Sequence, residues 1–61
     1  MRAYERTILL AGKEVIKLTT WFVQKGYWFR AHATRKGWEV SFAKNIKDED
    51  LPRGINVKEV K

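Results

Sequence analysis

The run Trp38-Glu39-Val40-Ser41-Phe42-Ala43 alternates between two kinds of side chain, and that period of two constrains the chain more than any other feature. A strand points successive side chains to opposite faces, so Trp38, Val40 and Phe42 share one side and Glu39 and Ser41 the other. Ahead of it lie a turn composition, Thr34-Arg35-Lys36-Gly37, and the run Phe29-Arg30-Ala31-His32-Ala33. Closed as a four-residue loop, the turn sets Ala33 against Trp38, Ala31 against Val40 and Phe29 against Phe42. Each pair joins apolar to apolar, so the turn and the alternation agree on which face is inside.

The preceding segment, Val15-Ile16-Lys17-Leu18-Thr19-Thr20-Trp21-Phe22-Val23-Gln24, is rich in the β-branched and aromatic residues that suit a pleated surface. Lys25-Gly26 follows it at the length of a two-residue hairpin loop, with glycine available for positive φ. Such a loop pairs Phe22 with Phe29 and Leu18 with Ala33, and on the other face Val23 with Trp28, Trp21 with Arg30 and Thr19 with His32. The expectation is a three-stranded antiparallel meander from Val15 to Ala43, with Leu18, Phe22, Phe29, Ala31, Val40 and Phe42 inside. A helix competes for the first segment, because Val15, Leu18 and Phe22 also share a helical face.

In the flanks, Thr7-Ile8-Leu9-Leu10 before Ala11-Gly12-Lys13-Glu14 reads as a strand and turn that would set Ile8 and Leu10 opposite Leu18 and Ile16. A short helix with Tyr4, Ile8 and Ala11 along one side is the alternative for residues 2–11. Lys47-Asp48-Glu49-Asp50-Leu51 has helical character and is stopped by Pro52 and Gly54; Ile55 to Val60 reads as a short last strand. The predicted fold is mainly β, one domain over residues 1–61: a small meander curled into an SH3-like or partly open barrel, with a helical turn near residues 47–52. The passage from Leu51-Pro52-Arg53-Gly54 into Ile55-Asn56-Val57 resembles the close of an SH3-like fold, an architecture that hosts many functions.

Size and composition narrow the rest. A chain of 61 residues is small enough that folding buries only ~60% of its unfolded surface, and such domains commonly need reinforcement. With no cysteine and one histidine, disulfides and ordinary structural zinc are excluded, which leaves a second subunit or a bound partner. The balance of 13 Lys and Arg against 7 Asp and Glu, a net +6, draws a small domain to polyanions. No apolar run is long enough to span a bilayer. Met1 to Arg6 followed by Ile8 to Gly12 is too short and too acidic at Glu5 for a secretory leader, so a cytoplasmic location is expected.

The outer face of the expected meander carries Lys17, Thr19, Trp21, Trp28, Arg30 and His32, with Arg35 and Lys36 on the adjoining turn. Indole rings offer stacking platforms for bases, and guanidinium and ammonium groups pair with phosphate. That pattern predicts nucleic-acid binding, with Trp21 and Trp28 stacking, Lys17, Arg30, Arg35 and Lys36 on phosphates, and Thr19 and His32 as polar contacts. DNA and RNA, single strand and duplex, are not distinguished. The alternative is a protein-binding module, an inhibitor or accessory subunit or a homodimer, since tryptophan and arginine also dominate protein interfaces. The two indoles would alternatively be packed as core.

His32 beside Glu39, with Ser41 diagonal, lacks a strained nucleophile turn or oxyanion site, so no enzymatic activity and no small-molecule substrate are expected. Asp48-Glu49-Asp50 lacks the spacing of a calcium loop, and Gly12, Gly26, Gly37 and Gly54 form no phosphate-binding fingerprint; no metal or cofactor is expected. The basic residues are dispersed, unlike those of a membrane-surface helix.

Overall fold

A computed structural model describes residues 4–60; Met1 to Ala3 of the rejected leader segment lie outside the described residues. Strand β1 spans Glu5–Leu10, helix α1 Gly12–Lys25, strand β2 Phe29–Thr34 and strand β3 Gly37–Ala43, followed by a 3-10 turn at Asp48–Asp50. The three strands form one antiparallel sheet in the order β1-β3-β2. It is open, with β1 and β2 outermost, and is not closed into a barrel.

The hairpin of β2 and β3 has the register that alternation dictates: Phe29 pairs with Phe42, Ala31 with Val40 and Ala33 with Trp38. On the far side of β3, Ile8 pairs with Val40 and Leu10 with Trp38, so residues 5–10 are a strand, but its partner is β3. The expected final strand is reduced to an antiparallel bridge between Ile8 and Glu59, flanked by hydrogen bonds from Leu9 N to Lys58 O and from Val60 N to Thr7 O. The expected helical turn near residues 47–52 is the 3-10 turn, whose following residue Leu51 is buried.

The segment Val15 to Gln24 corrects the meander, because it is the body of α1 rather than a strand. A lone three-stranded sheet would leave Ile8, Leu10, Val40 and Phe42 without a covering layer, and a helix supplies one. The β-branched residues in α1 cost up to ~0.7 kcal/mol each against alanine, whereas burying Val15, Leu18 and Phe22 returns roughly 1.5–3 kcal/mol apiece. Burial wins over propensity.

Gly26 is needed as expected, but for a different motif. At φ 75° it ends the helix, its N–H reaching Val23 O at 3.2 Å while Tyr27 N reaches Phe22 O at 2.9 Å. Those two bonds are a Schellman cap, which satisfies the last helical carbonyls. The start of α1 is held by Glu14, whose carboxylate accepts from Ala11 N at 3.0 Å and from Asn56 N at 2.5 Å.

The six residues assigned inside are the right ones, although two lie on the helix. Leu18, Phe22, Val40 and Phe42 are fully buried, and Phe29 and Ala31 pack against them. The Phe22 ring stacks on Phe29 with centroids 5.5 Å apart and tilts against Phe42 at 5.1 Å, so the expected Phe22–Phe29 neighbourhood exists across two layers.

Truncating Phe22 to alanine should cost about 3–5 kcal/mol, a large share of the total for so small a domain, whereas exposed Ile16→Ala should stay within about 0.5 kcal/mol. Urea denaturation of both variants measures the contrast. Among the turns, Gly37→Ala should be more damaging than Gly26→Ala. Both have positive φ, but a Cβ at Gly37 would also sit 2.7 Å from the Leu10 carbonyl oxygen, while the space around Gly26 is open. Thermal melts of the two variants give the order.

Candidate nucleic-acid interface

Helix α1 covers one face of the sheet; the other face is open to side-chain chemistry. Strand alternation puts Glu5, Thr7 and Leu9 of β1, Glu39, Ser41 and Ala43 of β3, and Arg30, His32 and Thr34 of β2 there. Trp28, just ahead of β2, is about half exposed, and the Arg30 guanidinium lies 5.9 Å from its ring centroid. The same guanidinium pairs with Glu5 Oε1 at 3.1 Å. It reaches across β3 because the intervening positions, Ser41 and Ala43, are small.

One step along β2, His32 Nε2 sits 3.4 Å from Glu39 Oε1, its cross-strand neighbour. Ser41 engages Thr7, hydroxyl to hydroxyl at 2.8 Å, so it belongs to a different pair. At the hairpin tip Thr34 Oγ1 donates to Gly37 O at 2.9 Å and accepts from Lys36 N at 3.2 Å, bracing the turn that carries Arg35 and Lys36. Both tip cations are exposed and make no ion pair among the described residues.

The eight residues expected on one surface therefore divide. Trp28, Arg30, His32, Arg35 and Lys36 lie along β2 and its tip. Lys17, Thr19 and Trp21 ride on α1, in the other layer, and join no common face with them. Lys17 Nζ donates to the Arg53 carbonyl. Thr19 Oγ1 donates back to Val15 O at 2.8 Å, an internal helix bond. Trp21 is half-buried, with its ring 5.4 Å from those of both Phe22 and Tyr27. The core reading thus describes Trp21 and not Trp28.

Glu5 joins this face from β1, a placement that nothing local in the sequence reveals, because β1 pairs with β3. Away from this face, Asp48 bridges to Arg6 Nη2 at 2.6 Å, and Glu59 binds the same guanidinium. Burial opposes the charge on Arg6, but the hydrogen bonds and charges of Asp48 and Glu59 outweigh it and hold its pKa above the ordinary value. Arg6 also lies 5.3 Å from the Phe42 ring centroid, tying β1, the 3-10 turn and the C-terminal segment together.

A cleft of about 530 Å³ lined by Arg6, Lys44, Lys47, Asp48, Glu49 and Glu59 mixes both signs of charge and shows no preference for either. No helix among the described residues is long and apolar enough to cross a membrane. No family model, curated protein or solved structure matches this chain.

The Glu14 carboxylate has a lowered pKa, first from the backbone N–H of Asn56, then from that of Ala11, with Lys58 adding to the effect. A depressed carboxylate pKa contributes stability that is present above the ordinary value of 4.5 and is lost as pH falls through the lower folded value. Wild type should lose stability on acidification through that window, and Glu14→Gln should lose less there while being weaker at neutral pH. Denaturant midpoints measured from pH 7 downward check this.

Proposed function

We propose that the protein is a non-enzymatic nucleic-acid-binding domain that uses β2 and its hairpin tip as a basic-aromatic track. The observation that carries the reading is that Trp28, Arg30 and His32 lie on one face of an outer strand leading directly to Arg35 and Lys36. Strand β2, six residues from Phe29 to Thr34, spans about 17 Å at ~3.3 Å per residue. Trp28 supplies a stacking platform whose ring is braced by Arg30, and the tip cations supply phosphate contacts. A stacked base must be unpaired, which favours single-stranded nucleic acid as the ligand.

Charge within the track is graded. Arg30 is partly compensated by Glu5, whereas Arg35 and Lys36 make no ion pair among the described residues. Phosphate affinity therefore concentrates at the tip and stacking at the start of β2. One observation favours a second reading, contact with another protein: the outer edge of β2 has no strand beside it among the described residues.

Tryptophan fluorescence titrations with short single-stranded oligonucleotides separate the roles. If Arg30, Arg35 and Lys36 each neutralise a phosphate, log K should fall against log salt with a slope of about −2, from ~−0.7 per phosphate. Arg35→Ala/Lys36→Ala should flatten that slope toward about −0.7. Trp28→Ala should weaken binding by about 1–3 kcal/mol with the slope unchanged. Lys17→Ala should alter neither. Absence of salt-sensitive binding to any oligonucleotide would remove the proposal.

A further inference from the structure

The two outer strands of the sheet are finished differently. The C-terminal segment covers β1, through the bonds from Leu9 N to Lys58 O at 2.8 Å and from Val60 N to Thr7 O at 3.0 Å. Strand β2 has no such cover among the described residues, so its outward backbone donors and acceptors form an open ladder.

What flanks that ladder gives it chemical character. One flank of α1, with Glu14 and Lys17, is held by residues 53–56. The other flank presents Ile16, Thr19, Thr20 and Val23, which follow one another at helical spacing and carry no charge. Ile16 is 70% exposed and Val23 69%, and a groove of about 260 Å³ runs between this flank and Phe29 of β2. On the opposite side of the same strand stand Arg30 and His32, continued by Arg35 and Lys36; β2 and its turn contain no acid.

An added strand sends alternate side chains to the two sides of a sheet. Here one side is an uncharged, largely apolar groove, and the other is basic chiefly at Arg35 and Lys36, with Arg30 paired to Glu5. A second copy of this chain fits poorly, because it brings the same cations and its own net +6 to the junction, and like charges placed opposite each other are destabilising. We propose that the free edge of β2 takes, by strand addition, an extended segment of another protein in which acidic and apolar residues alternate. The apolar residues enter the groove beside Val23 and Phe29, and the acidic ones face Arg30, His32 and the tip. The inference stands independently of nucleic-acid binding. It adds that the two ligands exclude each other, since both place negative charge over the same cations.

The test uses the full chain, isotope-labelled, with terminally blocked octapeptides alternating Glu and Val or Lys and Val as probes. The Glu–Val peptide should slow hydrogen exchange at outward amides of Phe29–Thr34, and the Lys–Val peptide should not. Val23→Gln, a change at an exposed site, should weaken the Glu–Val peptide about tenfold while leaving oligonucleotide affinity unchanged. No protection by the Glu–Val peptide, equal protection by both peptides, or indifference to Val23→Gln would overturn the proposal. Protection of β2 that appears without peptide and grows with protein concentration would overturn it in favour of a second copy. Peptide failure with oligonucleotide binding intact sinks this inference alone; oligonucleotide failure with peptide binding intact sinks only the nucleic-acid reading.

Discussion

The ring of Phe22 holds the two layers together. It is fully buried and has aromatic neighbours on both strands of the hairpin and beside its own helix: Phe29 on β2, Phe42 on β3, Trp21 on α1 and Tyr27 just past its end. In a chain of 61 residues without disulfides, the apolar contact beneath α1 is the main term opposing conformational entropy. Everything assigned to the open face follows from it. Once α1 takes the inner side of the sheet, Trp28, Arg30 and His32 are left on the other.

That dependence explains what the sequence could and could not reveal. The register of β2 against β3 was legible, because alternation and turn composition are both local and they agree, although the loop is Arg35-Lys36 alone rather than four residues, since Thr34 pairs with Gly37. Helix α1 was not, because two local signals point the wrong way. Val15, Ile16, Thr19, Thr20 and Val23 favour a strand, and Gly26 meets the needs of a hairpin turn and of a Schellman cap equally well. The requirement that a three-stranded sheet be covered is a tertiary one. The periodic trio of Val15, Leu18 and Phe22 was the available clue, and those are the residues of α1 that are buried.

The grouping of the candidate site's residues was legible to the same degree. Residues on the correctly read hairpin and its approach, from Trp28 to Lys36, stay together, while Lys17, Thr19 and Trp21 left with the helix. The His32–Glu39 pairing follows from local register and was foreseen. The Arg30–Glu5 pair was not, because it joins the two outer strands over Ser41 and Ala43 and depends on β1 lying beside β3. A face on which Glu39 was the one acid expected also carries Glu5 against Arg30, and it is strongly basic only at the hairpin tip.

The open edge of β2 exists only if α1 is a helix seated by Phe22, so nuclear Overhauser contacts from the Phe22 ring test the account most directly. The structure predicts contacts from that ring to the rings of Phe29 and Phe42 together with helical amide-to-amide contacts through residues 12–25. Cross-strand contacts of Leu18 with Ala33 and Thr20 with Ala31 would contradict it and restore a meander with Trp21 beside Arg30.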